Sequence, residues 1–274
     1  MSVAVPTPPD HVLAAFGVAG CTPIPLGGGQ GTSWRAGDLV LKLADVGLDE
    51  LAWQARVYSQ IACDGFRLAQ PQATSDGLLC IDGWCATRYQ AGRHKQRRWA
   101  QIITVGARFH AALRGIPRPP FLDTRSSPWV ISDRVAWGEI SASGFPGVGH
   151  LSQLTAAIRP LSAPGQLIHG DLSGNVLFHD RLPPAIIDFT PYWRPAAYAT
   201  AIVVADALVW EGADRQILGT VSHIDDFGQY LVRALIFREL TNWICTHDQP
   251  PETQAAHADW ALAVDLACQL AAQP

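Results

Sequence analysis

Charged residues are scarce in this chain of 274 residues, at 16%, and the formal net charge is only -4. Without a basic excess the sequence has little charge to replace phosphate counterions, so nucleic acid is not an expected partner. Long hydrophobic runs are also lacking. The most apolar stretch, residues 195–205, is shorter than the roughly 20 residues that span a bilayer. No membrane partner is therefore expected.

The six cysteines include no CxxC pair and no companion histidine at zinc spacing. Both patterns would indicate redox or metal chemistry. The proline-rich start of the chain lacks the basic segment and apolar core of a signal peptide. A cytoplasmic protein is the simplest expectation, and the sequence does not indicate an oligomeric state.

Residues 1–90 have the pattern of a small sheet with one helix. Three short antiparallel strands are predicted over 24–43 and a helix over 49–61. Two further strands, 77–81 and 84–89, flank an Asp-Gly pair that favours a hairpin turn.

Residues 91–274 have a mostly helical pattern. Apolar side chains recur at helical spacing over 99–113, and two more helices are predicted over 228–245 and 252–272. Residues 118–149 have the proline, serine and glycine content of a loop. The expectation is an α+β fold with a small β-rich N-terminal lobe (1–90), a larger α-helical C-terminal lobe (91–274) and a ligand in the cleft between them.

The most informative stretch is HGDLSGNVLF, residues 169–178, followed by AIIDF, residues 185–189. Two short apolar runs separated by a turn-rich segment predict a hairpin. If its strands pair about residues 181 and 182, Asn175 lies opposite Asp188. Mg²⁺ prefers such oxygen ligands together with phosphate and water. Asn175 and Asp188 are therefore the candidate magnesium ligands.

Asp171 lies four residues before Asn175, where it can accept the proton of an attacking hydroxyl. The spacing here, D-x3-N with a later D-F, is one residue shorter than the D-x4-N pattern of kinase phosphoryl transfer and otherwise resembles it. The alternative is that Asp171 and Asn175 only cap turns. That alternative does not account for the joint spacing with Asp188, so Asp171 is the candidate catalytic base.

A glycine cluster lies between two predicted strands, where backbone N–H groups can approach phosphates. An ordinary turn is the alternative. The candidate nucleotide-binding residues in this cluster are Gly28, Gly29, Gln30, Gly31 and Thr32.

Lys42 interrupts an apolar strand, where a charge is disfavoured unless something binds it. A nucleotide phosphate would supply a partner, whereas a lysine on an edge strand could instead reach solvent. Glu50 begins the next helix and is the expected ion-pair partner of Lys42. The helix dipole alone would also favour an acid there.

Taken together, these residues resemble the aminoglycoside phosphotransferase and choline kinase-like superfamily, which has a protein-kinase-like fold. HGDLSGN resembles its HGDxxxxN catalytic loop, although three residues and not four separate Asp171 from Asn175. Residues 109–113 resemble the long helix before that loop. The resemblance implies a nucleotide such as ATP, Mg²⁺ and a small-molecule hydroxyl acceptor. It assigns catalysis to Asp171, and it implies that His169 supports the loop. The implied cofactor contacts are Asn175 and Asp188 for the metal, Lys42 and Glu50 for the phosphates, and residues 84–89, including Thr87 and Tyr89, for adenine.

Three functions remain open at this point. The leading one is an ATP-dependent kinase acting on a small-molecule hydroxyl. The others are a nucleotide-binding regulatory protein without turnover, and nucleotidyl transfer on the same fold. In the segment 190–195, Arg194 could face the transferred phosphate, and Tyr192 and Trp193 could line an acceptor pocket or belong to the core. Asp206, in an apolar helix, needs a partner and is interpreted as a brace for the catalytic loop.

Overall fold

The computed structural model describes residues 6–27, 32–247 and 259–273. The chain forms two compact units. The first comprises Met1–His94 and Gly174–Asp188, and the second comprises Lys95–Ser173 and Phe189–Pro274. The sequence-based boundary at residue 90 lies close to the break after His94. The return of residues 174–188 to the first unit is a feature that the sequence pattern does not predict.

The described residues form eight α-helices, three short 3-10 helices and eleven strands. The α-helices are α1 (Asp10–Ala15), α2 (Leu48–Gln60), α3 (Trp99–Ala112), α4 (Pro128–Ala136), α5 (Leu151–Ala156), α6 (Ala196–Trp210), α7 (Phe227–Thr246) and α8 (Trp260–Ala271). The 3-10 helices are Pro120–Asp123, Ala142–Gly144 and Arg215–Thr220. The strands are β1 (Ile24–Pro25), β2 (Ser33–Ala36), β3 (Leu39–Leu43), β4 (Arg67–Leu68), β5 (Pro71–Gln72), β6 (Cys80–Ile81), β7 (Trp84–Arg88), β8 (Gln166–His169), β9 (Val176–Leu177), β10 (Ala185–Ile186) and β11 (Pro191–Arg194).

The main sheet of the first unit is antiparallel, with the order β1-β2-β3-β7-β5 and β6 paired to β7. The three predicted strands over 24–43, the helix over 49–61 and the hairpin are confirmed. The hairpin turn has positive φ at Asp82 (47°) and Gly83 (80°), as a type I′ turn requires. One face of the sheet forms a buried cluster with α1, made of Val12, Leu13, Leu39, Leu41, Trp84 and Ala86. Because side chains alternate along a strand, Lys42 and Cys85 lie on the other face.

The predicted hairpin after the HGDLSGN loop is confirmed, but its predicted register is wrong by one residue. Val176 pairs with Ile186, so Ile187, and not Asp188, lies opposite Asn175. The Ile187 N–H donates to the Asn175 carbonyl at 3.0 Å. The paired strands are only two residues long, so the apolar pattern fixes their register weakly. Neighbouring segments hold them instead, since β10 also pairs with β4 and Phe178 bridges to Arg93.

In the second unit, α6 is buried on nearly all sides and contacts α3, α7, α8 and β8. The predicted helices over 99–113 and 228–245 are confirmed as α3 and α7. The last one is confirmed as α8, while residues 252–258 lie outside the described residues. None of the helices described is long and apolar enough to cross a membrane.

Loop residues occupy much of 118–149, as predicted, but the segment also contains α4, which the sequence analysis missed. Proline-rich and serine-rich flanks obscure the helix in the sequence. Pro128 stands in its first turn, where the fixed φ of proline suits a helix and its missing N–H costs nothing. The buried side chains of α4 include Val130, Ser132 and Asp133.

Gly170 allows the catalytic-loop segment to lie against strand β11. Its N–H donates to the Thr190 carbonyl at 3.0 Å, and a Cβ at this position would overlap the Tyr192 ring. Tyr192 is buried and packs edge-on against Phe237, so the ring cannot retreat without disturbing the core.

We expect Gly170→Ala to lower the free energy of unfolding by about 1–3 kcal/mol, the usual cost of overpacking. Gly219→Ala is the matched control, since its Cβ would meet nothing within 4 Å. Urea denaturation of the two variants measures the difference. Equal midpoints for both would show that the contact with Tyr192 does not constrain residue 170.

Candidate active site

Lys42 and Asp188 form an ion pair in the first unit. Lys42 Nζ lies 3.0 Å from Asp188 Oδ1 and 3.6 Å from Asp45 Oδ2. Burial works against the lysine charge, but the two carboxylates outweigh it and raise the pKa of Lys42 above its ordinary value. The structure therefore places a charged lysine beside one of the two candidate metal ligands.

Asp188 directly follows the β9–β10 hairpin and has a left-handed backbone, with φ of 47°. Non-glycine residues adopt this conformation rarely, although aspartate does so more often than most. The side chain is 51% exposed, so its carboxylate is accessible to a ligand while it contacts Lys42. Asn175 immediately precedes β9 and lies opposite Ile187, so it is at the same open end of the hairpin and in the same unit.

Glu50, the expected partner of Lys42, lies in the first turn of α2 and is buried. Gln54 donates a long hydrogen bond of 3.4 Å to its Oε1. Lys42 forms ion pairs with the carboxylates of Asp188 and Asp45. The Lys42–Glu50 pair stays a prediction.

The remaining candidate nucleotide contacts lie on the main sheet or outside the described residues. Thr87 is on β7, opposite Val40 of β3. Tyr89 follows this strand, and the Arg35 guanidinium lies 3.8 Å above its ring centroid. Thr32 immediately precedes β2. Four residues of the glycine cluster lie outside the described residues, namely Gly28, Gly29, Gln30 and Gly31.

Asp171, in the second unit, is held by a buried arginine. Arg238 Nη2 donates to Asp171 Oδ1 at 2.7 Å, and the same guanidinium donates to both carboxylate oxygens of Asp206 at 2.7 Å. The side chains of Arg238 and Asp206 are 9% and 8% exposed, whereas that of Asp171 is 38% exposed. Burial raises the pKa of Asp206, although Arg238 opposes this effect. Asp206 thus has the partner that the sequence analysis expects, and that partner also contacts the candidate base.

Two buried histidines hold the backbone of the same loop. The His169 N–H donates to His110 Nε2, and the Asp171 N–H donates to His169 Nδ1, both at 3.1 Å. Burial, reinforced by His169, lowers the pKa of His110 to about 3. His110 is therefore neutral at physiological pH and can accept this hydrogen bond. These contacts agree with the supporting role that the family resemblance implies for His169, and they give His110 a part in the same support.

Arg194 is part of a buried ion-pair network, which differs from the suggested role in facing a phosphate. Its guanidinium donates to Asp133 Oδ2 and to Glu139 Oε1, each at 2.6 Å. Its side chain is only 16% exposed. Arg194 therefore joins α4 to β11, and Tyr192 beside it belongs to the core.

Arg238 is the important residue that sequence reasoning missed. The sequence held two signals for it. Asp206 in an apolar helix requires a buried cation, and the helix α7, which is mostly buried, contains arginines. Two of these, Arg233 and Arg238, are buried, but only Arg238 contacts Asp206; Arg233 donates to the backbone carbonyls of Gln229 and Arg159. Sequence periodicity does not distinguish them.

Comparison with known proteins identifies the family and the fold of this chain. The model of the phosphotransferase enzyme family matches residues 21–208, more than half of the chain, so the chain belongs to this family. No curated protein sequence gives a significant match.

Several solved structures share the fold. An aminoglycoside phosphotransferase from Alicyclobacillus acidocaldarius is 15% identical over 98% of this chain and 94% of its own, with a TM-score of 0.65. An amicoumacin kinase in complex with AMP-PNP, Ca²⁺ and Ami is 14% identical over 91% of this chain and 87% of its own, with a TM-score of 0.59. A choline/ethanolamine kinase family protein from Mesorhizobium loti is 16% identical over 94% of this chain and 90% of its own, with a TM-score of 0.56. The expected α+β, protein-kinase-like fold is confirmed.

We expect Arg238→Met to lower the free energy of unfolding by about 3–5 kcal/mol, because it leaves Asp206 buried without its cation. Asp206→Asn in the same chain should recover part of this loss. The carboxyl pKa of Asp206 should rise further in Arg238→Met, so the proton it takes up at lower pH relieves the buried charge. The deficit relative to wild type should therefore be smaller at pH 5 than at pH 8.

Arg233→Met is the control, since Arg233 is also buried in α7 but donates to backbone carbonyls and to Gln229. Urea denaturation at the two pH values measures five proteins: wild type, Arg238→Met, Asp206→Asn, the double variant and Arg233→Met. A pH-independent deficit in Arg238→Met, or strictly additive effects in the double variant, would contradict the ion-pair account.

Proposed function

We propose that this protein is an ATP- and Mg²⁺-dependent phosphotransferase that moves the γ-phosphate to a hydroxyl of a small molecule in the cytoplasm. The observation that carries the proposal is the Lys42–Asp188 pair, in which Nζ and Oδ1 are 3.0 Å apart. The two residues are 146 positions apart in sequence. A phosphate-binding cation and a metal-binding carboxylate are both needed close to a nucleoside triphosphate.

The residues of the first unit suit the nucleotide and metal roles. Asp188 and Asn175 supply the hard oxygens that Mg²⁺ prefers, and phosphate oxygens and water would complete the shell. No group of three or more His, Cys, Asp or Glu residues forms a metal cluster among the residues described, which is consistent with a metal that arrives with the nucleotide. Bound magnesium would offset the charge on the phosphates. Lys42 would contact the same phosphates through its ammonium group.

Asp171 is proposed as the general base. The acceptor hydroxyl oxygen bonds to the γ-phosphorus, the bond from that phosphorus to the β-phosphate oxygen breaks, and ADP leaves. The hydroxyl proton passes to the Asp171 carboxylate. Arg238 on Oδ1 and the His169 ring on the backbone N–H fix the orientation of this carboxylate, and such fixed orientation is a main source of rate enhancement.

The acceptor class rests on the family and on the names of structural neighbours, which include aminoglycoside, choline and spectinomycin kinases. All of these names denote small molecules. We propose a small-molecule hydroxyl as the acceptor, with neither nucleic acid nor membrane as a partner.

Asp171→Asn tests the proposal directly. The amide keeps the shape of the carboxylate but cannot take the hydroxyl proton, so transfer should fall by about 10²- to 10⁴-fold while Mg-ATP affinity stays nearly unchanged. The measurement is ATP consumption in an acceptor screen, or slow transfer to water, at equal nucleotide occupancy in variant and wild type. Calorimetry gives the affinity, and product mass separates phosphoryl from nucleotidyl transfer.

Wild-type turnover in Asp171→Asn would exclude Asp171 as the base. A wild-type protein that binds Mg-ATP but turns over no acceptor and no water would favour the regulatory alternative. Absence of purine nucleotide binding at millimolar concentration would overturn the proposed function.

Asp188→Ala should weaken magnesium-dependent ATP binding by at least about tenfold, since even outer-shell changes cost 10- to 100-fold in metal affinity. Asp45→Ala is the matched control, because Asp45 also lies near Lys42 but is an exposed residue at 3.6 Å. Loss of this exposed carboxylate should change the free energy of Mg-ATP binding by about 1 kcal/mol or less. Calorimetry with and without magnesium distinguishes the two, and an unchanged magnesium dependence in Asp188→Ala would show that the ligand assignment is wrong.

A further inference from the structure

Cys80 and Cys85 are brought face to face by the β6–β7 hairpin, although their sequence spacing matches no redox motif. Ile81 pairs with Trp84 next to the two-residue turn, and Cys80 pairs with Cys85 at the following position of the antiparallel ladder. In such a hairpin the flanking pair exchanges hydrogen bonds, so the next pair is not hydrogen-bonded. In a pair that is not hydrogen-bonded, as Cys80 and Cys85 are, the Cα atoms lie about 4.5 Å apart and both side chains are on one face of the sheet. This separation falls within the range that a disulfide spans.

The two thiols differ in accessibility. Cys80 is partly exposed, whereas Cys85 is 5% exposed, and its Sγ lies 3.5 Å from the Lys42 carbonyl oxygen. Burial raises the pKa of Cys85 to about 11. Since the thiolate is the reactive form, Cys85 is the poorer first nucleophile. Both residues are free thiols in the structure.

We propose that Cys80 and Cys85 form a reversible oxidation site, in which hydrogen peroxide converts the two thiols into an intramolecular disulfide. The Cys80 thiolate attacks a peroxide oxygen, the O–O bond breaks, one water leaves and a sulfenic acid remains. The Cys85 thiol then attacks the Cys80 sulfur, the S–S bond forms and a second water leaves. Two thiols are oxidised and one hydrogen peroxide is reduced to two waters.

The position of the pair gives the oxidation a local consequence. Cys85 is also the direct cross-strand partner of Lys42, so the three side chains form a row on the sheet face that carries Lys42. Formation of the disulfide removes the thiol proton that Cys85 donates to the Lys42 carbonyl. The chemistry of the site itself does not depend on the proposed phosphotransferase function.

The test uses the tryptic peptide of residues 68–88, which contains both thiols and no other cysteine. Reduced protein is treated with hydrogen peroxide, quenched, unfolded, alkylated with iodoacetamide and digested. We expect this peptide to lose two hydrogens and to take up no label, and dithiothreitol should restore two labelled cysteines. Cys63 is exposed and serves as the internal reference for peroxide exposure.

Three variants complete the experiment. Cys63→Ser should form the disulfide as wild type does. Cys80→Ser should leave Cys85 fully labelled, and Cys85→Ser should let Cys80 proceed to the sulfinic acid because no second thiol traps it. Thermal unfolding confirms that each variant is folded. Full labelling of both cysteines in wild type at a peroxide concentration that oxidises Cys63, or a disulfide from Cys80 to any other cysteine, would overturn the proposal.

Discussion

A charge buried in an apolar interior needs a partner of opposite sign, and this constraint organises the second unit around Arg238. Asp206 is the one charged residue of the mostly apolar helix α6, and an unpaired carboxylate there would cost several kcal/mol. Arg238 meets this requirement from α7 and extends the same guanidinium to Asp171. Because buried ion pairs contribute little net stability, its value lies in geometry. The packing of α6 against α7 holds Arg238 in place, and Arg238 in turn orients the carboxylate of Asp171.

The first unit depends on a different constraint, the pairing of very short strands. Asp188 reaches Lys42 because β10 pairs in parallel with β4 as well as antiparallel with β9. Neither two-residue pairing would be stable alone. Additional backbone contacts hold the hairpin, including those from Arg67 to Pro184 and between Arg93 and Phe178. Main-chain hydrogen bonds thus contribute to the support of Asp188, and hydrogen bonds of this kind do not depend on side-chain identity.

Elements with a strong local signal could be predicted from the sequence. The type I′ turn at Asp82 and Gly83 and the amphipathic helix α3 both follow spacing rules, whereas the joint role of Asp171, Asn175 and Asp188 stays a prediction. What escaped prediction depends on contacts distant in sequence. The register at Asn175 is set by β4 and Arg93, α4 is stabilised by the Arg194–Asp133 pair, and Arg238 differs from Arg233 only in what it faces. A single sequence records the need for such partners but not which residue meets it.

The left-handed backbone of Asp188 bears on which other residues could replace it without strain. Glycine adopts that conformation without strain, whereas other residues there carry a penalty of order 1–3 kcal/mol. One nucleotide change turns an aspartate codon into a glycine codon. Such a change should relieve the backbone strain at position 188, but it also removes the carboxylate. The backbone at position 188 therefore gives no reason of its own for aspartate, and the carboxylate is explained only by its contact with Lys42 and by the proposed function.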